Sequence, residues 1–201
     1  MHISDGILSP PVLAGGAVLA VAGVAQGLRR TRDDEVPKAA LLTAAFFVGS
    51  LVHIPVGPTS AHLLLNGLMG ILLGWTAFPA LLIGLLFQAL FFGHGGISAL
   101  GVHTVAFATP AVAVGLLWRR GTRAMKPAPA AVLAGVGAGI CVMVTALIVA
   151  GVLLLSGSDW LRMAQFFLIA HMPVIVVEGF VTFFAVAFLV RSRPALFREE
   201  D

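Results

Sequence analysis

Apolar residues fill this chain in long, nearly unbroken runs, without the strict alternation of a half-buried strand. A helix that is apolar all round belongs in a large core or in a bilayer, where only elements that satisfy their own backbone are stable. A spanning unit takes about 20 residues, fewer where the chain lines a cavity. On that scale the runs predict seven helices, near 11–28, 38–54, 61–76, 79–93, 102–118, 129–155 and 162–190. The third and fourth are short and meet in a tight turn around Trp75 to Pro79. The expected architecture is all-α: one polytopic membrane domain over residues 1–201, a bundle of about seven transmembrane helices.

Composition strengthens this reading. Hydrophobic residues make up 59% and charged residues 10%, with a mean hydropathy of +1.04, which leaves too few charges to cover a soluble surface. The opening is not read as a cleavable signal, because it lacks a positive leading region, carries Asp5 and has no convincing small-residue cleavage site; Met1 is expected to be the mature terminus. The single Cys141 lies in an apolar run and reads as a small packing residue, since one cysteine builds neither a disulfide framework nor a thiolate metal site. Twelve Lys and Arg against nine Asp and Glu give a modest excess with no basic, aromatic-interleaved face, so nucleic acid is not an expected partner.

The cations set an orientation. Arg29, Arg30, Arg32 and Lys38 fall in the first loop, Arg119, Arg120, Arg123 and Lys126 in the fifth, and Arg191, Arg193 and Arg198 after the last helix. These segments share the cytoplasmic side if the N-terminus is outside and the C-terminus inside; only Arg162 departs from the positive-inside rule. On this topology His53 ends helix 2, His62 begins helix 3, His94 ends helix 4, His103 begins helix 5 and His171 lies in the outer half of helix 7. With His2, all six histidines then gather toward the outer face of the inner (cell) membrane.

Met1-His2 is a chelate before any folding occurs. The terminal amine, the His2 amide nitrogen and the His2 imidazole close a five-membered and a six-membered ring around one cation, and such nitrogen-rich tetragonal sets suit Ni(II), Cu(II) or Co(II). Residues 1–9 are therefore expected to form an extracellular metal-binding segment. Pro55 to His62 reads as a Pro- and Gly-rich turn delivering a helix, with Thr59 or Ser60 as N-cap and His62 in the first turn. There the helix dipole would keep the imidazole neutral, the form that ligates metal; capping a loop carbonyl is the alternative role. Asn66, four residues on, would share that face and either orient the His62 ring or join helices as polar glue.

The other polar groups are less specific. His94 lies in a glycine-rich loop and His103 just beyond it, as loop-locking hydrogen-bonders or auxiliary ligands. His171 and Glu178 are seven residues apart and share a face of helix 7, as a structural anchor or part of an ion or proton path. Gly15, Gly16, Ala20, Gly23 and Gly27 give helix 1 a small-residue face, for internal packing or for docking another membrane subunit. No phosphate-binding motif occurs, and no organic cofactor is expected.

With Met1-His2-Ile3-Ser4-Asp5-Gly6-Ile7-Leu8-Ser9, Thr59-Ser60-Ala61-His62, His94-Gly95-Gly96-Ile97-Ser98-Ala99-Leu100-Gly101 and His171-Met172-Pro173 through Glu178-Gly179, the chain resembles the CbiM/NikM family over essentially its whole length. These are the substrate-binding (S) components of energy-coupling-factor (ECF) transporters for cobalt and nickel. The resemblance implies a near-square-planar set of four nitrogens: the Met1 amine, the His2 amide, the His2 ring and His62, with outer loops, including that of His94, closing over the metal. It also implies a membrane coupling (T) subunit, two cytoplasmic ATPase subunits and often a small accessory membrane subunit. Co(II) or Ni(II) would be the transported substrate, and the chain itself would be no enzyme and carry no ATPase. Family members commonly have Asn, then Thr, with a Met further on, where this chain has His103-Thr104 and Phe107. Other classes fit parts of the sequence: an intramembrane hydrolase using Ser60 or Ser98 with a histidine, a stand-alone proton-coupled carrier using Glu178, or an assembly scaffold. The hydrolase lacks a His-Glu-x-x-His or Gly-x-Ser-x-Gly motif, the carrier lacks an evident inverted repeat, and a scaffold leaves the outward histidines unexplained.

Overall fold

The computed structural model describes residues 3–192 except 52, 57, 58, 123, 124, 158 and 159, with the backbone alone described for 53–56 and 59–61. Among these residues there are seven α-helices: α1 Pro10–Arg30, α2 Val36–Gly49, α3 Asn66–Leu73, α4 Ala77–Phe92, α5 Leu100–Thr122, α6 Pro127–Ser156 and α7 Leu161–Ser192. Five segments are long and apolar enough to cross a membrane, with α3 and α4 counting as one 27-residue stretch through the 3-10 turn Gly74–Thr76. At 14 residues α2 is shorter than these. Prolines open α1, α2 and α6, where the missing N–H costs nothing.

Two elements differ from the sequence expectation. Helix 2 stops at Gly49, and the chain continues as an antiparallel hairpin of β1 His53–Val56 and β2 Thr59–His62, with His53 opposite His62 and Val56 opposite Thr59. Helix 3 begins at Asn66, so Thr59 and Ser60 are not its N-cap and His62 is not in its first turn. The reason is local: Pro55 and Pro58 withdraw two helix donors, and Ile54, Val56 and Thr59 are β-branched, so a short ladder outcompetes a helix start.

The short helix α3 is the centre of the bundle. All eight of its residues are buried, as a sequence apolar all round requires. It lies so close to α5 that a Cβ on Gly70 would run into the Ala111 carbonyl, and one on Gly115 into the Gly70 carbonyl. On the far side, a Cβ on Gly67 would stand 2.6 Å from Ala138 Cα of α6. Helices α6 and α7 approach through Gly135 and Gly179. The small face of α1 is likewise spent inside the molecule: Gly16 meets Val102, Gly23 meets Phe78 and Gly27 meets Pro79 and the Trp75 carbonyl, while a Cβ on Gly15 would meet nothing. Internal packing therefore accounts for this stripe. Large apolar side chains face outward all around the bundle, among them Val21, Phe91, Leu155, Ile169, Phe184 and Phe188 at 64–76% exposure, the surface a bilayer covers.

The two ends of the bundle differ in chemistry. At one end Arg30, Arg119 and Arg120 line a cavity of about 330 Å³ with Trp75 and Glu35; Arg30 lies over the Trp75 ring and Arg119 donates to the carbonyls of Ile71 and Leu72. The opposite end carries the N-terminal segment, the hairpin and the loop 93–99.

Candidate metal-capture site

The N-terminal segment is a packed strap. Ile3 and Leu8 are buried in the main core cluster, which also contains Leu64, two residues after His62. Four hydrogen bonds tie the strap down. The Ile3 N–H donates to His103 Nε2 at 2.9 Å, a buried bond across a separation of 100 residues. The Asp5 carboxylate accepts from the Ser98 N–H at 3.0 Å and from the Ser98 hydroxyl. The Ser9 N–H donates to Ser156 Oγ at 3.2 Å. The Asp5–Ser98 bonds, the hydroxyl foremost, hold the Asp5 pKa below its ordinary value. Met1 and His2 lie outside the described residues.

His62 sits at the end of β2, buried. Its Nδ1 faces the Leu63 carbonyl at 2.9 Å. A carbonyl only accepts, so Nδ1 carries the proton and Nε2 is the lone-pair nitrogen, the tautomer that ligates metal. Burial pushes the ring pKa down to about 3, opposed by the Leu63 carbonyl. The neutrality expected from a helix dipole is thus supplied by desolvation.

The turn after His62 is held from α7. Glu178 is fully buried, and its Oε1 accepts from the N–H of Leu64 and from that of Leu65, the latter at 2.7 Å. Leu65, the N-cap of α3, has φ +49°, the one positive φ at a non-glycine among the described residues. A leucine in that region is strained, and the two hydrogen bonds from the adjoining amides to Glu178 Oε1 offset the cost. Glu178 is thus the anchor of the turn between His62 and α3, a structural role among those expected for it, with partners that spacing along helix 7 could not reveal.

The remaining candidates separate. Asn66 does not share a helix face with His62; its Nδ2 donates to the Phe107 carbonyl at 3.2 Å and to Thr145 Oγ1 at 3.0 Å, joining α3 to α5 and α6. His103 Nε2 is occupied by Ile3, which makes this ring a clamp. His171 is buried on the same face as Glu178, its ring tilted against Phe167 with centroids 4.2 Å apart and Nδ1 against the Phe167 carbonyl at 2.6 Å. His94 is partly buried beside Phe92 in the loop that Asp5 grips at Ser98. The hydroxyl of Ser98 donates to Asp5 rather than to a histidine; only the backbone of Ser60 is described, paired with Pro55. Cys141 is buried packing, as expected. The hairpin register adds His53 directly across from His62, a pairing legible in the symmetric placement of the two histidines about Gly57-Pro58.

Fold and site together define a multi-pass helical membrane protein whose N-terminal strap is packed beside a buried, neutral histidine. The sequence model of the family described as "CbiM: Cobalt uptake substrate-specific transmembrane region" matches residues 2–196, and the chain belongs to that family. A Haemophilus influenzae protein with the provisional name of metal transport protein is 39% identical over all of this chain and 98% of its own length. A fused nickel transport protein, NikMN, of Rhodobacter capsulatus is 38% identical over 61% of this chain and 38% of the longer fused protein. The crystal structure of a truncated transition metal transporter superposes with a TM-score of 0.82 at 27% identity, over 95% of this chain and 99% of that one. The protein is a membrane component of metal uptake.

Proposed function

We propose that this chain is the substrate-binding component of an ECF-type ABC importer for Co(II) or Ni(II), capturing the ion at the outer face. The observation that carries the reading is the burial of Ile3: the residue directly after Met1-His2 is clamped inside the bundle, in the same core cluster as Leu64 beside His62. The ligand set is the Met1 amine, the His2 amide and ring, and His62. The first three come from one dipeptide; His62 comes from a desolvated site that holds it neutral. Four nitrogens in a plane favour Ni(II) and Co(II) over hard ions by ligand type and over tetrahedral Zn(II) by geometry, while Cu(II) would bind at least as tightly. The arginine-lined end faces the cytoplasm of the cell membrane, as the positive-inside rule requires. Uptake depends on a membrane coupling subunit, two cytoplasmic ATPases and a small accessory membrane subunit; the chain itself has no enzymatic activity.

Calorimetric titration of the purified protein with Ni(II), Co(II), Cu(II) and Zn(II) tests the assignment. The protein with a free Met1 amine binds one Ni(II) or Co(II) per chain. Acetylating or extending the N-terminus abolishes tight binding, and His62→Ala weakens it by about a hundredfold or more, the order expected for loss of one of four ligands. Unchanged affinity in either would contradict the ligand set.

A further inference from the structure

We propose that His103 is a positioning residue for the metal chelate: by accepting the Ile3 N–H at Nε2 it fixes the backbone at the residue to which the chelating dipeptide is joined. The inference rests on the functional reading above and assigns a role to a residue outside its ligand set.

The observation is a buried hydrogen bond between the first amide after the chelating dipeptide and an imidazole on α5, 2.9 Å long and 100 residues apart in sequence. His103 is itself buried and meets Phe107 edge-on, with ring centroids 6.4 Å apart, so the ring is not free to follow a moving strap. Accepting at Nε2 places its proton on Nδ1. The clamp therefore requires a neutral ring with a lone pair at one atom, which neither Leu nor Phe provides. The Asp5–Ser98 bonds lie two residues further along and are exposed, and burial of the Ile3 side chain does not by itself fix the direction of its amide. The bond to His103 does.

The physical consequence is preorganisation. A chelating dipeptide on an untethered strap pays the ordering entropy when the metal binds, whereas one already fixed at Ile3 has paid part of it on folding. Losing the clamp also strands a buried amide without a partner. The expected outcome is weaker binding and faster release by the same donor set, since Nε2 of His103 is engaged by the peptide.

The test is a double-mutant cycle on full-length protein with a free Met1 amine, read by Ni(II) calorimetry, by release rate and by the ligand-field absorption of bound Ni(II). His103→Leu weakens Ni(II) affinity about ten- to a hundredfold, with the absorption band unmoved at saturating metal. His103→Gln, which places an amide oxygen near the former Nε2, stays within about threefold of the parent. Ile3→Pro removes the donor from the other side and shows the same loss, and the double variant Ile3→Pro, His103→Leu is no weaker than the worse single, because both delete one bond. Parent-like affinity in His103→Leu overturns the proposal, as does a His103→Gln variant as weak as Leu, or additive losses in the cycle. A shifted absorption band in His103→Leu also overturns it, since it would make His103 a ligand. If His103→Leu does not fold, the Gln and Ile3→Pro arms still decide. Failure of the parent itself to bind Ni(II) or Co(II) would refute the functional reading, an outcome distinct from all of these.

Discussion

His62 and His103 are both buried and neutral, yet each is built for a different use. His62 gives its Nδ1 proton to the next carbonyl, leaving Nε2 as the lone-pair nitrogen; His103 uses its Nε2 lone pair on the strap. The low pKa of His62 has a consequence for pH dependence. A ring pushed down to about 3 stays neutral across the physiological range and takes up a proton only as the pH falls through about 3. On the proposed ligand set, acid weakening of metal capture between pH 8 and 6 is therefore expected to come from the groups of the Met1-His2 chelate, whose amine has a free pKa of about 8. Affinity should fall about tenfold per pH unit for each proton displaced. His62→Ala should bind more weakly with the same pH slope, measured by titration at several pH values; a shallower slope would mean that His62 titrates with the others. The candidate histidines were legible as residue types in a patterned chain. Their roles were not, because His103 finds its partner 100 residues away and Glu178 its partners 113 and 114 away, distances that no local spacing encodes.

At the scale of elements, the long helices were plain: six of seven start within two residues of the positions that hydrophobic runs predict. The hairpin was not, because a short apolar run reads equally as strand or helix, and two prolines with three β-branched residues are a weak signal against a helix. That hairpin delivers His62 from an extended strand, and the strained Leu65 turns the chain into α3. Glu178 stabilises this turn, so Glu178→Ala leaves two backbone amides at the start of α3 without an acceptor. The variant should lose about 1–3 kcal/mol of stability and weaken metal binding, while Glu178→Gln, which keeps an acceptor oxygen, retains most of both. Thermal unfolding in detergent, paired with Ni(II) titration, checks this. An alanine variant as stable and as tight-binding as the parent would remove Glu178 from the site's support.

The whole molecule is polarised, with arginines around Trp75 at one end and the strap, hairpin and loop 93–99 at the other. The charge pattern of the loops foretold this segregation, since cations resist translocation. The close helix contacts through Gly70, Gly115 and Gly135 were not foretold, because small residues do not say which neighbour they admit. The polarity predicts a labelling pattern: with Cys141 buried and silent, Ile97→Cys, 62% exposed, should react with a membrane-impermeant maleimide in intact cells, and Arg120→Cys only after the membrane is opened. The reverse pattern would invert the topology. The proposed ligand set stands on one nitrogen above all, the Met1 amine. Titrating Ni(II) into protein with a verified free Met1 amine, and into the same protein carrying a short N-terminal extension, isolates it. Tight one-to-one binding is expected in the first and its loss in the second with the fold intact; equal binding by both would refute the ligand set.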